Sequence, residues 1–166
     1  MDAITINPFI ESINDLFERM LDCKVELGQP SRADFSNVSS DITGIIGLSG
    51  SVLGIVALRF PEKTACAVVG RMVGTEINTV DPSIIDGIGE LVNIAAGGAK
   101  GKLEGHSIFV SLPTVTRGGI YRLRNMRDTV WMDVPFESEL GEFSMIVTLK
   151  QSAEKKAEVV NESVSG

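Results

Sequence analysis

The chain has 166 residues, of which 43% are hydrophobic and 22% charged, and its formal net charge is −7. This length and composition predict one domain with a real core, and the acidic balance argues against a general nucleic-acid binder, whose surface would be basic. No apolar run approaches the roughly 20 residues that a membrane span needs, and the amino terminus lacks the pattern of a secretory signal, so we expect a cytoplasmic protein with no membrane partner.

Few residues of the chain are suited to binding metal. Cys23 and Cys66 are the only cysteines and lie far apart, and His106 is the only histidine. Neither a zinc cluster nor a disulfide framework is predicted from them, and we expect both thiols to lie in or near the core. No metal site is predicted, so the chemistry has to come from carboxylates, amides or a partner.

The first third of the chain predicts a helix and a strand hairpin. Asn7 is a candidate N-cap, Pro8 suits the first helical position, and apolar residues recur at helical spacing over residues 7–22. Two runs rich in β-branched residues follow within residues 42–60, on either side of a Ser-Gly-Ser break at 49–51. They indicate two well-buried strands joined by a tight turn.

Two helices are predicted in the middle of the chain. Pro61 opens the shorter one, and Gly74 ends it. The longer one begins with Asp81 as N-cap and Pro82 at the first helical position.

Strand patterns return in the last third. One strand is predicted within residues 107–113. Alternating apolar residues over 128–138 and 142–150 indicate a second hairpin, with a turn within 137–141.

The predicted order is helix, strands, two helices, strands. Antiparallel hairpins with helices grouped between them indicate an α+β domain, in which a sheet packs against a layer of helices. We assign this domain to residues 1–150. Residues 151–166 have no aromatic residue and no sustained period, which predicts a mobile tail.

The longer central helix carries an unusual polar stripe. Because successive helical residues turn by about 100°, one narrow face holds two carboxylates, an amide and then no side chain: Asp86, Glu90, Asn93 and Gly97. A solvated face is the ordinary explanation of such a stripe. However, the two carboxylates are like charges one turn apart, and each interior glycine weakens the helix by about 1 kcal/mol relative to alanine. Small residues around a few polar ones are expected where a partner must approach closely.

This helix resembles a known signature. The pattern Asp86-x3-Glu90-x2-Asn93, followed by Ile-Ala-Ala-Gly-Gly-Ala-Lys, is similar to the signature helix of the CheC/CheX/FliY phosphatases of bacterial chemotaxis. In that family a proline follows about twenty residues later, and Pro113 takes that place here. A single-domain chain with one strong motif is most similar to the CheX branch, and the order of elements over residues 1–150 is that of the CheC-like fold.

The resemblance implies a phosphatase that hydrolyses the phospho-aspartate of a CheY-like response regulator. Asn93 would position the attacking water, because a neutral carboxamide donates and accepts hydrogen bonds without repelling the phosphoryl group. Glu90 would form a salt bridge with the regulator's active-site lysine, and Asp86 and Gly97 would face the partner in supporting roles. The resemblance also implies a homodimer and no cofactor of the chain's own, because the regulator supplies the Mg²⁺.

A second copy of the motif occurs on the first helix as Glu11-Ser-Ile-Asn14. Bulky residues follow it where small ones are expected, so we interpret it as a degenerate, inactive second site.

Two other functions stay open. A non-catalytic adaptor could dock a regulator or another signalling protein through the same helix, although docking alone does not need the amide of Asn93. An unrelated hydrolase could use His106 as a base, but the sequence has no nucleophile elbow to serve it.

Overall fold

The computed structural model describes residues 3–33, 42–103, 105–118 and 129–152. The described elements follow the predicted order of helix, strands, two helices and strands. In chain order they are α1 (Ala3–Leu21), β1 (Val25–Leu27), β2 (Ser31–Arg32), β3 (Ile42–Gly50), β4 (Val52–Phe60), α2 (Glu62–Val73), α3 (Pro82–Lys102), β5 (Ile108–Val110), β6 (Thr114–Arg117), β7 (Met132–Ser138) and β8 (Gly141–Gln151).

The eight strands form one antiparallel sheet in the order β1-β7-β8-β4-β3-β5. The short strand β2 also pairs with β7. Strand β6 pairs with β3 on the same edge as β5 does. In both predicted hairpins, β3–β4 and β7–β8, the two strands pair with each other. The α+β fold class is therefore confirmed.

The helices pack on one face of this sheet, and the core lies between the two layers. Phe143 is central to the core, because its ring stacks on Phe17, Phe60 and Phe136 with centroid distances of 4.8 to 5.1 Å. Helix α3 lies directly over β3: a Cβ built at Gly44 would come within 3.0 Å of Val92 Cγ1. This close contact fixes the position of α3 on the sheet.

The prediction for the start of the first helix was wrong. Helix α1 begins at Ala3, so Asn7 is not its N-cap and Pro8 lies inside it. Pro8 is the sixth residue of α1, so it lies beyond the first four N–H groups, which have no intrahelical partner. Its missing N–H therefore costs α1 the hydrogen bond to the carbonyl of residue 4.

Other differences concern short strands and element ends. Strands β1, β2 and β6, which have two to four residues each, were not predicted from the sequence. The turn of the second hairpin is shorter than predicted, because β7 continues to Ser138 and β8 begins at Gly141. Residues 153–166, most of the predicted mobile tail, lie outside the described residues.

Cys23 and Cys66 are both free thiols in the buried core, as the sequence predicted. Burial raises the pKa of the Cys66 thiol. In the described part of the chain, no helix has the length and apolar character that a bilayer crossing requires.

Candidate functional site

The site begins with the N-terminal cap of α3, which fixes the residue at which the helix starts. The carboxylate of Asp81 accepts hydrogen bonds from the main-chain N–H of Ser83 at 2.8 Å and of Ile84 at 3.3 Å, and the Ser83 hydroxyl also donates to it. Pro82 follows at the first helical position, so the predicted start of this helix is confirmed. The hydrogen bond from the Ser83 hydroxyl, supported by the two N–H groups, lowers the pKa of Asp81.

Helix α3 has a buried face and an exposed face. The apolar side chains of Ile84, Ile88, Leu91, Val92, Ala95 and Ala99 are buried. The structure places all four residues of the predicted stripe on the exposed face: Asp86, Glu90, Asn93 and Gly97.

The polar side chains of this stripe have no bonded partner in the part of the chain that the structure describes. Among the described residues, no salt bridge or side-chain hydrogen bond involves Asp86, Glu90 or Asn93. Two carboxylates and an amide thus lie in solvent, where a second protein can reach them.

The glycines of α3 fall into two groups. Gly87 and Gly98 are required by internal packing, because a Cβ at Gly87 would lie 2.7 Å from Val69 of α2, and one at Gly98 would collide with the Ser12 hydroxyl of α1. In contrast, a Cβ at Gly97 or Gly101 would meet nothing within 4 Å. Only part of the glycine content is therefore available to a partner, which corrects the expectation that all of it serves close approach from outside.

The segment that leads into β6 lies along one side of the stripe. Gly89, one turn before Asn93, is buried against Pro113 and Val115. A Cβ built on Gly89 would lie 3.4 Å from Val115 Cγ2 and 3.7 Å from Pro113 Cγ, which are ordinary van der Waals distances. The proline noted in the sequence thus packs against the motif helix.

The second copy of the motif, on α1, has different surroundings. The carboxylate of Glu11 lies 3.9 Å from Lys102 Nζ of α3, and the same ammonium group lies 3.0 Å from Asp15 Oδ2. Its hydrogen bond to Asp15 lowers the pKa of that carboxyl. Asn14 is half-buried, whereas Asn93 is exposed. A lysine of the same chain therefore occupies the acidic end of the second copy, and the sequence pattern gave no signal for this contact.

A depression of about 950 Å³ is formed by α2 and the segment that follows it, and neither Glu90 nor Asn93 lines it. The exposed stripe is accessible to the surface of another protein, whereas a small-molecule site would be concave. The described residues also contain no group of three or more His, Cys, Asp or Glu that could hold a metal ion.

Comparison with known proteins gives consistent matches. Residues 42–137 match the family described as chemotaxis phosphatase CheX, and this range includes the whole of α3. The CheY-P phosphatase CheX of Thermotoga maritima is 28% identical over 153 residues, which cover 90% of this chain and 98% of that protein.

Solved structures support the CheC-like fold. A CheC-like superfamily protein from Shewanella sp. PV-4 superimposes with a TM-score of 0.81 at 25% identity, covering 90% of this chain and 99% of that one. A chain of the CheX–CheY–BeF3–Mg²⁺ complex from Borrelia burgdorferi gives a TM-score of 0.74 at 22% identity, covering 89% and 98%. The predicted CheC-like fold is confirmed.

Proposed function

The chain belongs to the chemotaxis phosphatase CheX family, and on this basis we propose that it hydrolyses the phospho-aspartate of a CheY-like response regulator. The observation that carries the proposal is the exposure of Glu90 and Asn93, one turn apart and with no bonded partner among the described residues, on a helix inside the matched range. The Thermotoga maritima relative, named a CheY-P phosphatase, supports the choice of substrate.

Asn93 positions the attacking water. Hydrolysis requires a water in line with the bond between phosphorus and the aspartyl oxygen, so that the water's oxygen attacks as that bond breaks. The products are inorganic phosphate and the free aspartate of the regulator. The carboxamide oxygen of Asn93 accepts a hydrogen bond from this water and orients it, and its neutral amide does not repel the phosphoryl oxygens.

Glu90 docks the regulator. A carboxylate next to a phosphoryl group is a poor base because both are negative, but it forms a favourable charge-assisted bond with a lysine ammonium group. We assign Glu90 to a salt bridge with the regulator's active-site lysine. Asp86, one turn towards the N-terminus, and Gly97, one turn beyond Asn93, complete the partner-facing stripe.

The regulator supplies the Mg²⁺, which neutralises charge on the phosphoryl oxygens. The presence of CheY, BeF3 and Mg²⁺ together in the Borrelia burgdorferi complex supports this assignment. A response regulator as substrate also places the reaction in the cytoplasm.

Phosphate release from a panel of phosphorylated receiver domains tests the proposed function. With Mg²⁺ present, catalytic amounts of this protein should accelerate release from at least one domain well above its own rate. If one domain binds without faster release, the adaptor hypothesis is correct instead. If none binds and none is hydrolysed faster, the substrate class is wrong.

We also propose a homodimer. The sheet has two outer edges, one formed by β1 and β2 and the other by β5 and β6, and natural proteins usually cover or protect such edges. Sedimentation equilibrium at micromolar concentration should give twice the chain mass of 17.8 kDa. A monomer mass over this range would exclude the dimer.

A further inference from the structure

Leu112 is an aliphatic residue in an unusual position. It lies between β5 and β6, and 90% of its surface is exposed, the largest value among the exposed large hydrophobic residues of the described chain. A single exposed leucine needs no explanation in general. Leu112, however, lies next to the motif helix α3, and this position suggests a function for its exposure.

The segment around Leu112 is held on both sides. On the side of β3, the Ser111 N–H donates to the Gly47 carbonyl at 2.9 Å, and the Ser111 hydroxyl accepts from the Gly47 N–H at 2.9 Å. The same hydroxyl donates to the Leu112 carbonyl at 3.0 Å. On the other side, Pro113 packs against Gly89 of α3. Leu112 is therefore presented to solvent by a fixed backbone.

This backbone borders the motif helix. Gly89, which contacts Pro113, precedes Asn93 by one helical turn, so a protein that covers Asn93 also approaches the segment next to Leu112. Specific interfaces bury about 800 Å² on each partner, far more than the two side chains of Glu90 and Asn93 provide.

The charge of this surface favours an apolar contact over a further charged one. The chain carries a net charge of −7, and the exposed stripe has two carboxylates, Asp86 and Glu90. Both repel a negatively charged phosphoryl group, and the regulator's Mg²⁺ and the pairing of Glu90 with a lysine offset this repulsion. An apolar contact at the border of the stripe stabilises the complex without adding charge.

We propose that Leu112 is an apolar anchor that the phosphorylated response regulator covers when it docks on α3. This inference rests on the function proposed above. Leu112 binds the partner in the ground state and in the transition state equally, since it does not touch the reacting atoms. Its loss should therefore raise KM and leave kcat unchanged.

The test is the steady-state hydrolysis of a phosphorylated receiver domain by three variants. Leu112→Ser should raise KM about tenfold, the usual effect of truncating an interface anchor. Leu112→Met keeps an apolar side chain and should stay within about twofold of the wild type. Val73→Ser alters another exposed aliphatic residue, at the end of α2 and 58% exposed, and should leave KM unchanged.

The sedimentation mass and the KM distinguish the regulator from a second copy of this chain as the partner that covers Leu112. The sedimentation mass of Leu112→Ser should equal that of the wild type; a lower mass would mean that a second copy of this chain, and not the regulator, covers Leu112. An unchanged KM in Leu112→Ser, with an active wild type, would overturn the anchor alone. A wild type inactive on every receiver domain would instead overturn the proposed function.

Discussion

The Ser12 hydroxyl donates a 2.7 Å hydrogen bond to the main-chain carbonyl of Ala95, where α1 crosses α3. Ser12 is only 4% exposed, and it lies between Glu11 and Asn14 of the second motif copy, while Ala95 lies two residues beyond Asn93. The absence of a side chain at Gly98 makes this approach possible. The contact locks the two motif helices together and keeps Asn93 turned to solvent.

The neighbouring glycines Gly97 and Gly98 should respond to alanine in opposite ways. Gly97→Ala should stabilise the protein by about 1 kcal/mol, since alanine is the better helix former and the added methyl meets nothing within 4 Å. Gly98→Ala should destabilise it by about 1–2 kcal/mol, because the methyl displaces the buried Ser12 hydroxyl from its hydrogen bond. Urea unfolding measures both.

The double variant Ser12→Ala/Gly98→Ala is the control for this explanation. Removing the hydroxyl relieves the collision, so the effects of the two changes should be strongly non-additive. Additive losses would mean that Gly98 matters for another reason.

Gly97→Ala should also raise KM for the regulator, because the added methyl group projects from the exposed face of α3 and keeps the partner from approaching as closely.

Glu90→Ala should weaken capture of the phosphorylated regulator without affecting folding. The side chain is exposed and forms no bond in the described structure, so the melting temperature should stay within about one degree of the wild type. Binding to a receiver domain that carries a phosphoryl analogue should weaken and lose part of its salt dependence. Asp86→Ala, one turn away, is the matched control with a smaller effect. A marked fall in melting temperature for Glu90→Ala would show that Glu90 is structural.

The elements that the sequence predicted correctly are those whose signals are local. The cap and first-turn proline of α3, the glycine that ends α2 and the alternation in β7 and β8 all depend on neighbours in the chain. The missed strands depend on distant partners: β1 and β2 pair with β7, and β6 pairs with β3. Strands of two to four residues have too few positions for a period to be recognised.

The shared exposure of Asp86, Glu90, Asn93 and Gly97 was predictable for the same reason, since all four lie on one helix face. What the sequence could not predict were the contacts between helices. The packing of Gly87 on Val69 and the bonds of Lys102 to Glu11 and Asp15 join residues that are far apart in the chain. Such contacts depend on how α1 and α2 dock on α3, which periodicity does not specify.

The cap of α3 should make part of the stability dependent on pH. The folded pKa of Asp81 is lowered from its ordinary value of 3.8, so the ionised cap stabilises the protein above about pH 4, and this contribution is lost as the pH falls through the folded pKa. Asp81→Asn keeps a good capping side chain that does not titrate. Its urea midpoint should match the wild type near pH 7 and fall less between pH 4 and pH 2. Equal losses in both proteins would show that Asp81 does not contribute to the acid sensitivity.

The second motif copy should be dispensable for activity. Asn14 is half-buried, and Lys102 engages the Glu11 beside it, so no regulator lysine can take that position without displacing a cation. We expect Asn14→Ala to release phosphate from the regulator at the wild-type rate. A loss of half or more of the activity, with an unchanged melting temperature, would show that the α1 site is active.

The most direct test of the account is single-turnover phosphate release by Asn93→Ala. Alanine is the better helix former, so the variant should be at least as stable as the wild type. It should bind the phosphorylated regulator normally through Glu90 and the surrounding surface. Hydrolysis should nevertheless fall by about a hundredfold or more, because the water is positioned only for the transition state. Release at the wild-type rate with normal binding would contradict the assignment of Asn93.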